Sequence, residues 1–242
     1  MRKENIIFAL INTERYKEGL ASIPHKEFED LSIVYYEFHP EQALYRLIKN
    51  EDMENDNLTE EELYELGFEN TRRIMVPKVV SMSDMIRELA EEMGLEIRQE
   101  ANMHLSAYVI TNEQRQRGAA NILYGDIMEN VSQKLGGDLC LIPCSVNEFI
   151  ATPMPENMLL GDLQELVHFT NLHHSPIRAR LSNQLYRYDS TTKQIKQATF
   201  SPYTNLNEER PQWSEWILNE EEVPKIECEG MEENSGDIRM GI

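Results

Sequence analysis

Cysteine is scarce in this chain, at three in 242 residues, and an odd count of that size excludes a disulfide framework as the source of its stability. Long apolar runs are absent as well. Nothing approaches the roughly 18 consecutive apolar residues of a spanning helix. The stretch from Ile6 to Ile11 stops at Asn12-Thr13-Glu14, too early for the core of a secretory signal. The expectation is therefore a cytoplasmic protein with no membrane role. Positive charge is the third shortage: 23 Lys and Arg stand against 43 Asp and Glu, a formal charge of −20. Such a surface repels a phosphate backbone, so direct nucleic-acid binding is disfavoured.

Several chemistries lack their spacing. There is no G-x-x-x-x-G-K-[ST] loop, no G-x-G-x-x-G turn, no G-x-S-x-G elbow and no H-E-x-x-H helix. His25-Lys26-Glu27 matches the H-x-E of zinc deaminases, but Cys140-Leu141-Ile142-Pro143-Cys144 has the wrong order and spacing for the partner motif. His168 and His173, five apart, fall on different sides of a helix, and with His174 they suit the negative helix end better than a metal. No cofactor, no metal and no catalytic residue is expected.

What is present is an apolar fraction of 40%, enough for a sizeable core. Acidity is concentrated: residues 51–100 hold 15 acidic and 5 basic side chains, residues 201–242 hold 11 and 3, and the rest is nearly neutral. Asp30 to Phe38 reads as a strand from its β-branched and aromatic content. Thr59-Glu60-Glu61-Glu62 is a capping box that starts a helix with Leu63, Leu66, Gly67, Asn70 and Ile74 inward, closed by Pro77. A second helix runs from Ser83 to Met93, with Met85, Ile86, Leu89, Ala90 and Met93 inward.

From Met103 the apolar period becomes two and predicts a strand to Ile110, with Ala119 to Tyr124 as its hairpin-like partner. Asp126 to Leu135 is a helix stopped by Gly136-Gly137. Leu139–Ile142 and Phe149–Thr152 are short strands around a turn beginning at Pro143, and Asp162–Leu172 is a helix with Leu163, Leu166, Val167 and Thr170 inward. Leu185–Tyr188 and Gln194–Gln197 flank a hairpin loop. The expected architecture is α+β, one mainly antiparallel sheet packed with amphipathic helices over residues 1–200, followed by an extended acidic tail, 201–242.

Candidate binding residues are few. His104 and Tyr108 lie on the wetter face of the period-two strand, and Cys144 follows a proline where a thiol could be accessible. In the tail, Trp213 and Trp216 are aromatics of the kind that anchor interfaces when buried.

Several segments in their order carry a resemblance. They are Leu10-Ile11-Asn12, Ile23-Pro24-His25-Lys26-Glu27-Phe28 with Asp30-Leu31, Glu61 to Leu66 with Glu69-Asn70-Thr71, Asn121-Ile122-Leu123-Tyr124, Lys134 to Leu139, and Ile142 to Glu148. Over roughly residues 6 to 197 the chain resembles an uncharacterised domain-of-unknown-function family of anaerobic Gram-positive bacteria, often found with mobile genetic elements. The resemblance implies no activity and no catalytic residue, and it implies a further N-terminal region that this chain does not carry. The functional expectation is a non-enzymatic protein–protein interaction module with a protein partner. The alternatives are a DNA-mimic inhibitor of a nucleic-acid-binding enzyme and a small-pocket enzyme using His104, Tyr108 or Cys144.

Overall fold

The computed structural model describes residues 1–94, 106–155, 157–173 and 175–198. In chain order the elements are β1 (Ile6–Asn12), α1 (Lys17–Leu20), β2 (His25–Phe28), β3 (Leu31–His39), β4 (Leu44–Leu47), α2 (Asn50–Asp56) and α3 (Glu60–Ile74). β5 (Pro77–Ser81), α4 (Met82–Glu92), β6 (Tyr108–Asn112), α5 (Gly125–Leu135), β7 (Leu139–Ser145), β8 (Glu148–Pro153), α6 (Asn157–His173), β9 (Tyr186–Asp189) and β10 (Gln194–Gln197) follow. The fold is α+β, and every strand pairing among the described residues is antiparallel.

The strands divide between two sheets, which is where the architecture departs from a single sheet. In the smaller one β3 is central: β1 pairs along one edge, while β2 pairs with Leu31–Val34 and β4 with Tyr36–His39 along the other. The larger has the order β10-β9-β7-β8-β6-β5. β1 explains why alternation alone could not reveal this. Its seven residues are all buried: Ile6, Phe8 and Leu10 point into the main core shared with the larger sheet, and Ile7, Ala9 and Ile11 into a second core with Tyr16, Val34, Tyr36 and Leu47. A strand covered on both faces reads as a continuous apolar run.

α3 forms where its capping box predicts. Glu62 N–H donates to Thr59 Oγ1 at 3.2 Å and Thr59 N–H to Glu62 Oε2 at 2.9 Å. The helix packs Leu63 and Gly67 on β1, and Thr71 Oγ1 accepts the Phe8 N–H at 2.8 Å, tying helix to strand. α5 ends on Gly136 in the left-handed region, φ 85°, as its Gly-Gly stop predicts.

Four local expectations are corrected. Residues 118–123 form a 3₁₀ turn, buried between the sheets, in place of the strand expected at Ala119–Tyr124. Gly118 is required there: a Cβ would stand 2.6 Å from the Asn147 carbonyl. Pro143 lies inside β7 opposite Phe149, at a register shift that tolerates its missing N–H, and the turn falls at Val146-Asn147. Of the strand expected from Met103, residues 103–105 lie outside the described residues, and Ser106 and Ala107 precede the strand, which begins at Tyr108. In α4, Ile86 faces outward, not inward, and Met93, just past the end of the helix, is exposed.

Candidate functional site

α6 covers the face of the larger sheet opposite the main core. Leu160 and Val167, with Leu163 partly buried, pack on Cys140 of β7 and on Leu185. The inward stripe continues through Asn171, 3% exposed, and not through Leu166 or Thr170 as apolar counting suggests. Asn171 Nδ2 donates to the Ser182 carbonyl at 2.9 Å and to Asn183 Oδ1 at 2.8 Å. A polar residue thus occupies a buried helix position because the segment beside it is also polar.

Rotating the helix to satisfy Asn171 turns apolar side chains outward. Leu166 is 58% exposed, Phe169 53% and Leu172 44%, and the His173 ring lies 4.5 Å from that of Phe169. They share one helical face with the exposed Asp162 and Glu165. Three of the six large exposed apolar side chains among the described residues are on this one helix.

The second feature is a buried polar junction where the smaller sheet meets β9. Asp30, in the two-residue turn between β2 and β3, accepts from Ser182 Oγ at 2.7 Å and from the Tyr186 hydroxyl. Burial pushes the Asp30 carboxyl above its ordinary value despite both hydrogen bonds, and it pushes the Tyr186 phenol well up. Asn12 Nδ2 donates to the Leu181 carbonyl at 3.0 Å, and Gln164 Nε2 to Gln184 Oε1 at 3.1 Å. Sequence reading passed over these residues. The signal was the polar triplet Ser182-Asn183-Gln184 enclosed by Leu181 and Leu185.

At the C-terminal end of α6 the same segment carries arginines. Arg180 donates from Nε to the Ser175 carbonyl at 3.0 Å and from Nη2 to that of Leu172 at 3.2 Å, satisfying helix-end carbonyls. Arg15, in the turn after β1, reaches across to the Ile177 carbonyl through Nη1.

The residues singled out beforehand are not brought into one site. His104, Trp213 and Trp216 lie outside the described residues. Tyr108 opens β6 opposite Ala151, half-buried, with Lys134 Nζ 5.2 Å from its ring centre. Cys144 sits at the far end of β7, beyond the Pro143–Phe149 pair. Burial, with the nearby Glu148 carboxylate adding to it, pushes the Cys144 thiol up to about 12, which keeps it protonated and weakly nucleophilic. Among the described residues no group of three or more His, Cys, Asp and Glu is placed to hold a metal ion, and no helix is long and apolar enough to cross a membrane.

The fold and these surfaces define an α+β domain of two antiparallel sheets bridged by a polar junction, with one helix apolar on both sides. The family model of DUF5688, a family of unknown function, matches residues 1–190, and the chain belongs to that family. Neither the curated proteins nor the solved structures contain a match to it.

Proposed function

We propose that this domain is a non-enzymatic protein–protein interaction module that takes a net-basic protein on the outer face of α6. The observation that carries this reading is the outward strip of Leu166, Phe169 and Leu172. Exposed apolar side chains gathered on one element, bordered by polar groups, mark interaction surfaces. Charge selects the kind of partner. Asp162 and Glu165 flank Leu166 on the same face, and the chain carries −20 overall, which steers basic partners inward and opposes a second copy of itself. The elevated Cys144 thiol, distant from Tyr108, supports a binding role over a nucleophilic one.

The test is affinity capture from host lysate at low and high salt with three baits: the wild-type chain, Leu166→Glu with Phe169→Glu, and Val76→Glu as a surface control. A basic protein retained by wild type and Val76→Glu, lost with the α6 double variant and weakened by salt, is the expected result. The same proteins on all three baits, or capture of acidic proteins insensitive to salt, overturns the reading.

A further inference from the structure

The described chain leaves the fold beside α6. β10 sets Ile195 on the main core, and three residues later Ala198 packs on the opposite side of the larger sheet, against the cluster that Leu160 and Val167 of α6 form with Leu185. The Ala198 N–H donates to the Leu185 carbonyl at 2.7 Å, which fixes the point of exit. From there the sequence runs on to Ile242.

Both tryptophans of the protein lie in that continuation, Trp213 and Trp216, followed by Ile217 and Leu218. No other stretch beyond Ala198 sets four large apolar residues within six positions. Trp213, Trp216 and Ile217 recur at i, i+3 and i+4, the spacing that gathers side chains on one helical face, and Pro211 and Pro224 bound the segment. Fifteen positions separate Ala198 from Trp213, a reach of about 50 Å when extended. The 17 residues of α6 make a helix only about 26 Å long. The tether therefore spans the whole outer face, and it holds the segment there at an effective concentration of about a millimolar.

We propose that residues 213–218 of the same chain dock on the Leu166, Phe169 and Leu172 strip and are displaced when a basic partner binds, a regulation that rests on α6 being the docking face proposed above. The strip, exposed by 58%, 53% and 44% at these residues, offers apolar area to the indole rings, which bury much surface at little entropic cost. Charge sets how firmly the segment holds. Glu215 and Glu220-Glu221-Glu222 have the same sign as Asp162 and Glu165, so repulsion weakens the contact. Tethering offsets that repulsion within one chain, whereas a second copy has no tether. A cover held by apolar contact against like charge yields to a partner of opposite charge.

The tryptophans are their own probe, because none lies elsewhere in the chain. Emission and acrylamide quenching are measured on the full-length protein, wild type against Leu166→Glu with Phe169→Glu, with Leu172→Glu as a milder second variant and Val76→Glu as the surface control. Expected is a native wild-type emission to the blue of that in urea. It shifts red and is quenched more in both α6 variants, and it is unchanged in Val76→Glu and at every protein concentration. Added sodium chloride, by screening the repulsion, moves it further to the blue. Unchanged circular dichroism confirms that the variants are folded, as substitution of exposed residues predicts. Native emission equal to that in urea overturns the proposal, as does a blue-shifted emission that neither α6 variant alters. A shift that grows with protein concentration overturns it too, since a second copy then supplies the segment, and a red shift on adding salt excludes the like-charge contact. The readout contains no partner: failed capture with a responsive emission removes the basic partner and keeps the tail, and the reverse removes the tail and keeps the partner.

Discussion

Removing one oxygen from Tyr186 isolates the contribution of the junction between the two sheets. Tyr186→Phe keeps the ring, which is fully buried and packed on Phe149 at 5.7 Å, and deletes the hydroxyl that donates to Asp30. Asp30 then retains only the Ser182 hydroxyl at 2.7 Å as its described side-chain donor. A hydrogen bond to a buried carboxylate is worth about 1.5–3 kcal/mol, against about 0.5–1.5 kcal/mol for a neutral pair. In an Asp30→Asn background the same Tyr186→Phe change therefore costs less. The coupling between the two positions is about 1 kcal/mol or more. For a chain of this size the single variant melts about 4–10 °C lower. Urea unfolding of the four proteins at pH 7.5, with equal m-values, measures the cycle. Additivity within about 0.3 kcal/mol would refute the claim that a charged group at this junction is held by the phenol.

The same carboxyl predicts a pH trend. Because its folded pKa is raised, the native protein keeps the proton at a pH where the unfolded chain has lost it. Stability relative to Asp30→Asn then falls as pH rises from the ordinary carboxylate range through the folded value, and urea midpoints of the pair that diverge in the opposite sense would exclude it. Gly118→Ala places a methyl 2.6 Å from Asn147 O, 2.7 Å from Thr111 Oγ1 and 2.8 Å from Asn112 N, and lowers stability by about 1–3 kcal/mol; an unchanged denaturation midpoint counts against the tight 3₁₀ turn. In a Cys228→Ser variant at pH 8, native Cys144 and Cys140, pushed up to about 12 and about 11, resist an aromatic disulfide reagent that titrates both thiols in urea. A full equivalent reacting quickly in the native protein would restore Cys144 as a candidate nucleophile.

Local signals made much of the fold legible. The capping box at Thr59, the Gly-Gly stop after Leu135 and the β-branched run of β3 each act within a few residues, and the structure has α3, α5 and β3 where they point. Features set by distant partners were not legible. Ala119-Ala120-Asn121-Ile122 has strand-like composition, yet its backbone follows the space between two sheets, and Asn121 Nδ2 is engaged by the Thr111 carbonyl at 2.6 Å. α6 misled for a related reason: an asparagine on the buried stripe is chemically sensible only once Ser182 and Asn183 lie against it. Asp30 and Tyr186 are 156 positions apart, so no spacing rule brings them together.

The family match and the packing end at different places, and the difference can be measured. The match stops at residue 190, before β10 begins at Gln194. β10 nevertheless pairs with β9 along its whole length, and Ile195 packs on the main core. Glu29 of the smaller sheet's hairpin accepts the Gln197 N–H at 3.0 Å and pairs with Lys196 at 3.2 Å, while Ala198 N–H donates to the Leu185 carbonyl at 2.7 Å. A chain ended at Ser190 loses these ties and leaves the outer edge of β9 without its partner, a template for pairing with another chain. A chain ended at Ala198 keeps all of them. The shorter chain is therefore less stable by roughly 2–4 kcal/mol, the scale of several backbone hydrogen bonds and one partly buried isoleucine, and it self-associates as concentration rises. Equal urea midpoints and concentration-independent sedimentation for the two truncations would show that β10 is an appendage and that residue 190 marks the true end of the folding unit.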